Sequence, residues 1–226
     1  MIRAVAFDLD NTLWDVGPVL VRAEQLWFEW LRAHCPRIPE RLSLEDMRMA
    51  RLQLAEQEPH RAHDMTYLRI EALSRHAREC GYDAGVALHA FEVFFAARNE
   101  IELYADVRPG LSRLSQRYAL ASLSNGNADL HRIGLAELFA VSLNARGIGA
   151  AKPDRRCFAE LVRSLGVESA EVLYVGDDPL LDVVAARAAG LRTAWMNRTG
   201  AQWPADVPRA ALSVCDCVEL ADRLQA

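Results

Sequence analysis

Five short apolar runs, most of them spaced by helix-length stretches, constrain this chain more than any other feature. They cover residues 3–7, 119–123, 141–143, 172–175 and 193–196, and the first stops at Asp8. Each is too short for a helix and too apolar for a surface loop, so each reads as a buried strand. Residues 110–117, 155–165 and 180–189 read as helices between them, and Gly166 and Gly190 stand where the last two should stop. Strands alternating with helices of this length predict an α/β fold: a doubly wound, Rossmann-like parallel sheet with helices on both faces.

Residues 16–104 break this rhythm. They contain no strand-like run and are rich in helix formers. Ser43-Leu44-Glu45-Asp46 has the form of a capping box, and Gly81 and Gly85 punctuate further helices, about four in all. The expected organisation is a core of residues 1–15 and 105–226, with a helical cap domain of residues 16–104 inserted after the first strand. Pro109-Gly110 is taken as the return to the core. Hinges are expected near residues 15–18 and 106–109.

Composition excludes several classes. With 51% hydrophobic and 25% charged residues the chain can bury a sizeable core. A net charge of −5 is the wrong sign for a protein that grips a nucleic-acid backbone. No apolar run approaches the ~20 residues that span a bilayer. The first ten residues turn polar too early for a signal peptide. The five cysteines are odd in number and scattered, which fits reduced thiols and a cytoplasmic location. Asn197-Arg198-Thr199 matches a glycosylation acceptor, which in a cytoplasmic chain is a chance match. Monomer and homodimer both remain open.

In an open parallel sheet, ligands bind beyond the carboxyl ends of the strands. There the sequence places Asp8-Leu9-Asp10-Asn11-Thr12, Ser124-Asn125-Gly126, a loop ending in Lys152-Pro153, and Gly176-Asp177-Asp178 with Asp182 beyond. Asp8 and Asp10 would repel each other in an empty site. A hard divalent cation offsets this, and with Asp177 as a third carboxylate the oxygen set suits Mg²⁺. Ser124 and the backbone amide of Asn125 can hold phosphate oxygens, Gly126 lets the backbone approach, and Lys152 adds a positive charge. Phosphoryl transfer needs mainly positioning and charge neutralisation, which this set supplies.

Blander readings apply to the neighbours. Asp178-Pro179 is a standard helix start, with Asp178 as cap. Asp182 suits the first turn of that helix by charge alone, and a contact to Lys152 or to a metal-bound water is the other reading. Asp154 reads as a helix cap. His60 and His63, three apart without a third ligand, do not make a metal site.

The ordered set resembles the haloacid dehalogenase superfamily across the whole chain. Asp8, Asp10 and Thr12 match its Asp-x-Asp-x-Thr motif; Ser124, Lys152 and Gly176-Asp177, followed by Asp178 or Asp182, match the other three. The resemblance implies that Asp8 is the nucleophile and Asp10 the general acid and base. It further implies that Mg²⁺ sits on Asp8, the Asp10 carbonyl and Asp177, that Ser124, Asn125 and Lys152 hold the phosphate, and that either Asp178 or Asp182 supports the metal, with Thr12 closing the first motif. The insertion resembles the family's helical cap. Dehalogenase members lack the second aspartate of the first motif, so Asp10 favours phosphoryl chemistry on a small phosphorylated metabolite. A phosphomutase and a non-catalytic binding protein are the alternatives. His63-Asp64-Met65-Thr66, Arg69, Ser124-Asn125-Gly126-Asn127-Ala128 and Val175-Gly176-Asp177-Asp178 are similar to the bacterial phosphatases of flavin mononucleotide and phosphorylated ribitylaminouracil.

Overall fold

A computed structural model describes residues 1–225. The strands are β1 (Ala4–Phe7), β2 (Ala119–Ser124), β3 (Val141–Asn144), β4 (Val172–Gly176), β5 (Arg192–Met196) and β6 (Leu212–Val214). They form one sheet in the order β3-β2-β1-β4-β5-β6, and every neighbouring pair is parallel. The strand order therefore reverses at β1, and Asp8 follows its last residue. This is the doubly wound α/β fold expected from the runs. β6, three residues at the sheet edge, is the strand that the apolar pattern did not reveal.

The chain divides into two compact units, Met1–Asp15 with Glu102–Ala226, and Val16–Ile101. Residues 102–104 therefore belong to the sheet unit, not to the insertion: Leu103 bridges Trp14, and the Tyr104 N–H donates to the Leu13 carbonyl at 3.1 Å. The second unit consists of α1 (Val16–His34), α2 (Leu44–Gln57), α3 (Met65–Glu79) and α4 (Val86–Arg98), with a short 3₁₀ turn before α3. Ser43 caps α2 in the capping box that its sequence predicts. Trp27 and Leu31 of α1 and Phe91 and Phe94 of α4 share this unit's core. Burying each such side chain contributes about 1.5–3 kcal/mol.

In the sheet unit, α5 spans Val107–Ser115, so it begins before Pro109-Gly110 and Pro109 lies in its first turn. Proline is tolerated there because the first turn's N–H groups have no helical acceptor. Single turns α6 (Leu130–Ile133) and α7 (Ala145–Ile148) precede α8 (Arg155–Leu165), which Asp154 caps and Gly166 ends at φ 65°. The predicted helix over 180–189 is instead a π-helical turn, Pro179–Val184, running into α9 (Ala185–Ala188). A final helix, α10 (Cys217–Gln225), packs on α5. No helix among the described residues is long and apolar enough to cross a membrane.

Within the segment expected as a hinge, residues 106–109, Asp106 is bonded inside the sheet unit. Asp106 accepts from Arg198 Nη1 at 2.6 Å and from the Cys217 N–H at 2.7 Å. Arg198 Nε donates to the Thr12 carbonyl at 3.0 Å, and its guanidinium lies over the Tyr104 ring at 4.3 Å. Burial pushes the Asp106 carboxyl up, but the bonds from Arg198 and Cys217 outweigh it and leave it below the ordinary 3.8. A depressed carboxylate stabilises the fold above its unfolded pKa, and that contribution is lost as pH falls through the lower folded value. We expect Arg198→Met to cost about 3 kcal/mol at neutral pH. Below pH 4 the gap to wild type should narrow in denaturant titrations.

Candidate active site

Four strand-end loops converge on a cavity of about 190 Å³. Asp8, Asp10, Ser124, Lys152 and Asp177 all line it. The volume is below the ~300–1,000 Å³ of sites that enclose a whole ligand. A cavity of this size suits a small charged group more than a whole metabolite.

The loop after β1 folds back on itself. Asn11 takes the left-handed conformation at φ 62°, and its N–H donates to the Trp14 carbonyl at 2.7 Å. Asparagine tolerates this region better than most residues. The turn brings the Trp14 indole N–H to Asp10 Oδ1 at 2.9 Å. Trp14 is fully buried, so the Asp10 carboxylate is held by a fixed donor. Thr12 donates to Asp177 Oδ1 at 3.3 Å, and Trp195 Nε1 donates to the Asp177 carbonyl at 2.8 Å.

Lys152 is 5% exposed. Its ammonium donates to Asp8 Oδ1 and Asp182 Oδ1, both at 2.6 Å, and to the Tyr174 hydroxyl at 2.9 Å. Its three N–H groups thus all have protein acceptors. Burial disfavours the charged lysine, yet Asp8, Tyr174 and Asp182 together outweigh this and hold its pKa well above the ordinary value. Burial also pushes the Asp8 carboxyl up to about 8; Lys152 opposes this and Asp182 and Asp177 reinforce it. Asp177 rises to about 6, mainly by burial and then by the Asp182 charge.

The cause is an excess of carboxylate. Asp8, Asp177 and Asp182 each place an oxygen within 4.8 Å of the others, against one lysine. This donor set fits a hard divalent cation, whose charge would reverse both upward shifts. Within the cluster, Asp182 has both oxygens engaged, Oδ1 by Lys152 and Oδ2 by the Asp178 N–H at 3.0 Å. Asp8 and Asp177 are therefore its better ligands. The Asp10 carboxylate, expected from spacing as the third member, stands outside the cluster because it is turned to Trp14.

The Asn125 and Asp178 side chains both bond nearby backbone groups. The Asn125 side chain is committed to the lysine loop: its Nδ2 donates to the Lys152 carbonyl at 2.9 Å and its Oδ1 accepts from the Lys152 N–H at 2.7 Å. Only its backbone amide is left for phosphate. Asp178 accepts from the Leu180 and Leu181 N–H groups, as a helix cap does. Ser124 is 2% exposed, and its Oγ accepts from the Gly126 N–H at 2.9 Å. The Lys152–Pro153 peptide is cis. Gly176 permits the closeness of Asp182, since a Cβ there would lie 2.3 Å from the Asp182 carboxylate. Sequence reasoning missed Trp14 and Tyr174. Their signal was a buried aromatic with a polar tip inside a motif, which needs a partner. We expect Asn125→Ala to lower turnover about tenfold and to destabilise the fold by about 1–3 kcal/mol, since two backbone groups lose their partners. Steady-state kinetics and thermal unfolding of the variant check this.

The comparisons with known proteins agree with this geometry. Residues 2–190 match the model of the haloacid dehalogenase-like hydrolase family. The chain belongs to that family of hydrolases. It is 30% identical over 200 residues to the 5-amino-6-(5-phospho-D-ribitylamino)uracil phosphatase of Escherichia coli (strain K12), covering 87% of this chain and 84% of the relative. The crystal structure of a 2-haloacid dehalogenase from Pseudomonas syringae pv. Tomato DC3000 superposes with a TM-score of 0.95 at 34% identity, covering 100% of this chain and 99% of the other. A phosphatase structure from Thermococcus onnurineus has the same fold, with a TM-score of 0.71 at 23% identity and coverages of 99% and 98%.

Proposed function

We propose that the protein is a Mg²⁺-dependent phosphomonoesterase acting on a small phosphorylated metabolite through an aspartyl phosphate on Asp8. The observation that carries this reading is Asp10: a second carboxylate beside the nucleophile, held at 2.9 Å by the Trp14 indole. Carbon–halogen cleavage has no use for an acid there, because halide leaves unprotonated. Phosphate ester cleavage does, because an alkoxide must be protonated.

Asp8 attacks phosphorus, and the bond from phosphorus to the ester oxygen breaks. The departing oxygen takes the proton that Asp10 carries. Asp10, now a carboxylate, removes a proton from water. That water attacks phosphorus, the bond to Asp8 breaks, and inorganic phosphate leaves with Asp8 and Asp10 restored. Lys152 holds the Asp8 carboxyl group, first as carboxylate and then as acyl phosphate, while Ser124 and the Asn125 amide bind phosphate oxygens. Asp8, Asp177 and the Asp10 carbonyl would hold Mg²⁺, which supplies charge neutralisation for the carboxylates and the phosphoryl group.

The likeness to the E. coli phosphatase favours a ribitylaminouracil phosphate or a related flavin phosphate as substrate. The 2-haloacid dehalogenase likeness favours a second reading, halide release from a 2-haloacid. A panel of flavin mononucleotide, ribityl, sugar and nucleotide phosphates, assayed for phosphate with and without Mg²⁺, separates the two when run beside 2-chloropropionate. Chloride release without phosphate release would overturn the phosphatase reading.

A further inference from the structure

We propose that Tyr174 is a positioning residue that anchors the Lys152 ammonium from beneath the site and thereby sets the orientation of the nucleophile. The proposal rests on the phosphatase reading for its kinetic test but not for its geometry. Tyr174 lies on β4, one strand from β1, and is fully buried. Its ring meets Phe158 edge-on at 5.3 Å, which fixes where the hydroxyl points. The hydroxyl carries one hydrogen. The Leu123 carbonyl, an acceptor only, lies at 3.0 Å and is the nearer of its two acceptors, so the hydroxyl donates there. Toward Lys152 it can then only accept, and it does so at 2.9 Å.

This arrangement links three strands. Leu123 is the residue before Ser124 on β2, and Asp8 follows β1, which lies between β2 and β4. Tyr174 thus joins the backbone beside Ser124 to the lysine that holds Asp8. The Asp182 oxygen is 3.4 Å from the same hydroxyl, but the single hydrogen is already used and Asp182 takes a lysine N–H instead. Without the Tyr174 oxygen, one N–H of a buried ammonium and one buried carbonyl both lose their partner, and the lysine can rotate away from Asp8.

Tyr174→Phe keeps the ring and removes only the oxygen. With Mg²⁺ and p-nitrophenyl phosphate we expect kcat to fall about tenfold with KM little changed. In a Lys152→Met background the same substitution should have no further effect on kcat. A purely structural tyrosine would lower the unfolding temperature and act equally in both backgrounds. An unchanged kcat in Tyr174→Phe overturns the proposal and leaves the phosphatase reading intact. If the wild type releases no phosphate from any ester, that reading fails, and the anchor is tested by Lys152 acylation with acetic anhydride followed by peptide mass spectrometry. Faster acylation in Tyr174→Phe supports the anchor, and an equal rate overturns it. Should the phenylalanine variant fail to fold, 3-fluorotyrosine at position 174 keeps the hydroxyl but weakens it as an acceptor. A fall in kcat or, without turnover, faster acylation then supports the anchor, and no change in that readout overturns it.

Discussion

Asp8→Asn is expected to abolish phosphate release while unfolding at a higher temperature than the wild type in metal-free buffer at pH 7. Loss of the nucleophile removes the covalent route, and turnover should fall by more than about 10⁴-fold. The gain in stability follows from the crowded carboxylates. Burial raises the Asp8 carboxyl to about 8 from 3.8. Between those values the folded state binds the proton more tightly than the unfolded chain, so stability declines as pH rises through that window. An amide has no charge to bury and can still accept from Lys152. We expect about 1–2 kcal/mol at pH 7, or roughly 3–6 °C. Mg²⁺ should stabilise the wild type by about 2.7 kcal/mol at a hundred times its dissociation constant, and should stabilise the variant less, since one ligand is gone. Retained turnover would sink the nucleophile assignment. A variant less stable than wild type without metal would show that the Lys152–Asp8 pairing outweighs the burial cost.

Asp10→Asn should behave differently because it blocks protons and not the nucleophile. For an alkyl phosphate both steps need Asp10, and kcat should fall by roughly 10²–10⁴. With p-nitrophenyl phosphate the leaving group departs without a proton, so the first step is largely spared. The second still lacks its base. A burst of nitrophenol and a protein heavier by one phosphoryl group at Asp8 are therefore expected, visible by stopped-flow absorbance and intact mass. Equal losses on both substrates, with no burst, would assign the proton transfers to another group.

The sheet and the acidic loops were legible because strand ends in a parallel sheet are where polar residues interrupt apolar runs. Asp8, Ser124 and Asp177 each follow or end such a run. β6 was not legible: three residues at an edge carry too little pattern, and Pro204 and Pro208 precede it. The π-helical turn at Pro179–Val184 was read as ordinary helix, since composition does not distinguish the two. Side-chain commitments were the least visible. The Asn125 side chain braces Lys152, which its place after Ser124 does not reveal, while Asp10 looked like a cluster carboxylate and is turned to Trp14. Each outcome depends on which donor comes within about 3 Å after folding, and spacing along the chain does not carry that.

The small antiparallel contact between Trp14 and Leu103 has a further consequence. The sheet unit clamps the two ends of Val16–Ile101 side by side with its own backbone. Whatever lies between those ends starts and finishes at one fixed doorway. Doubling the length of such a connection adds only about 0.6 kcal/mol of closure entropy. A lineage built on this sheet can therefore trade one inserted module for another, longer or shorter, without disturbing the turn that carries Asp8 and Asp10.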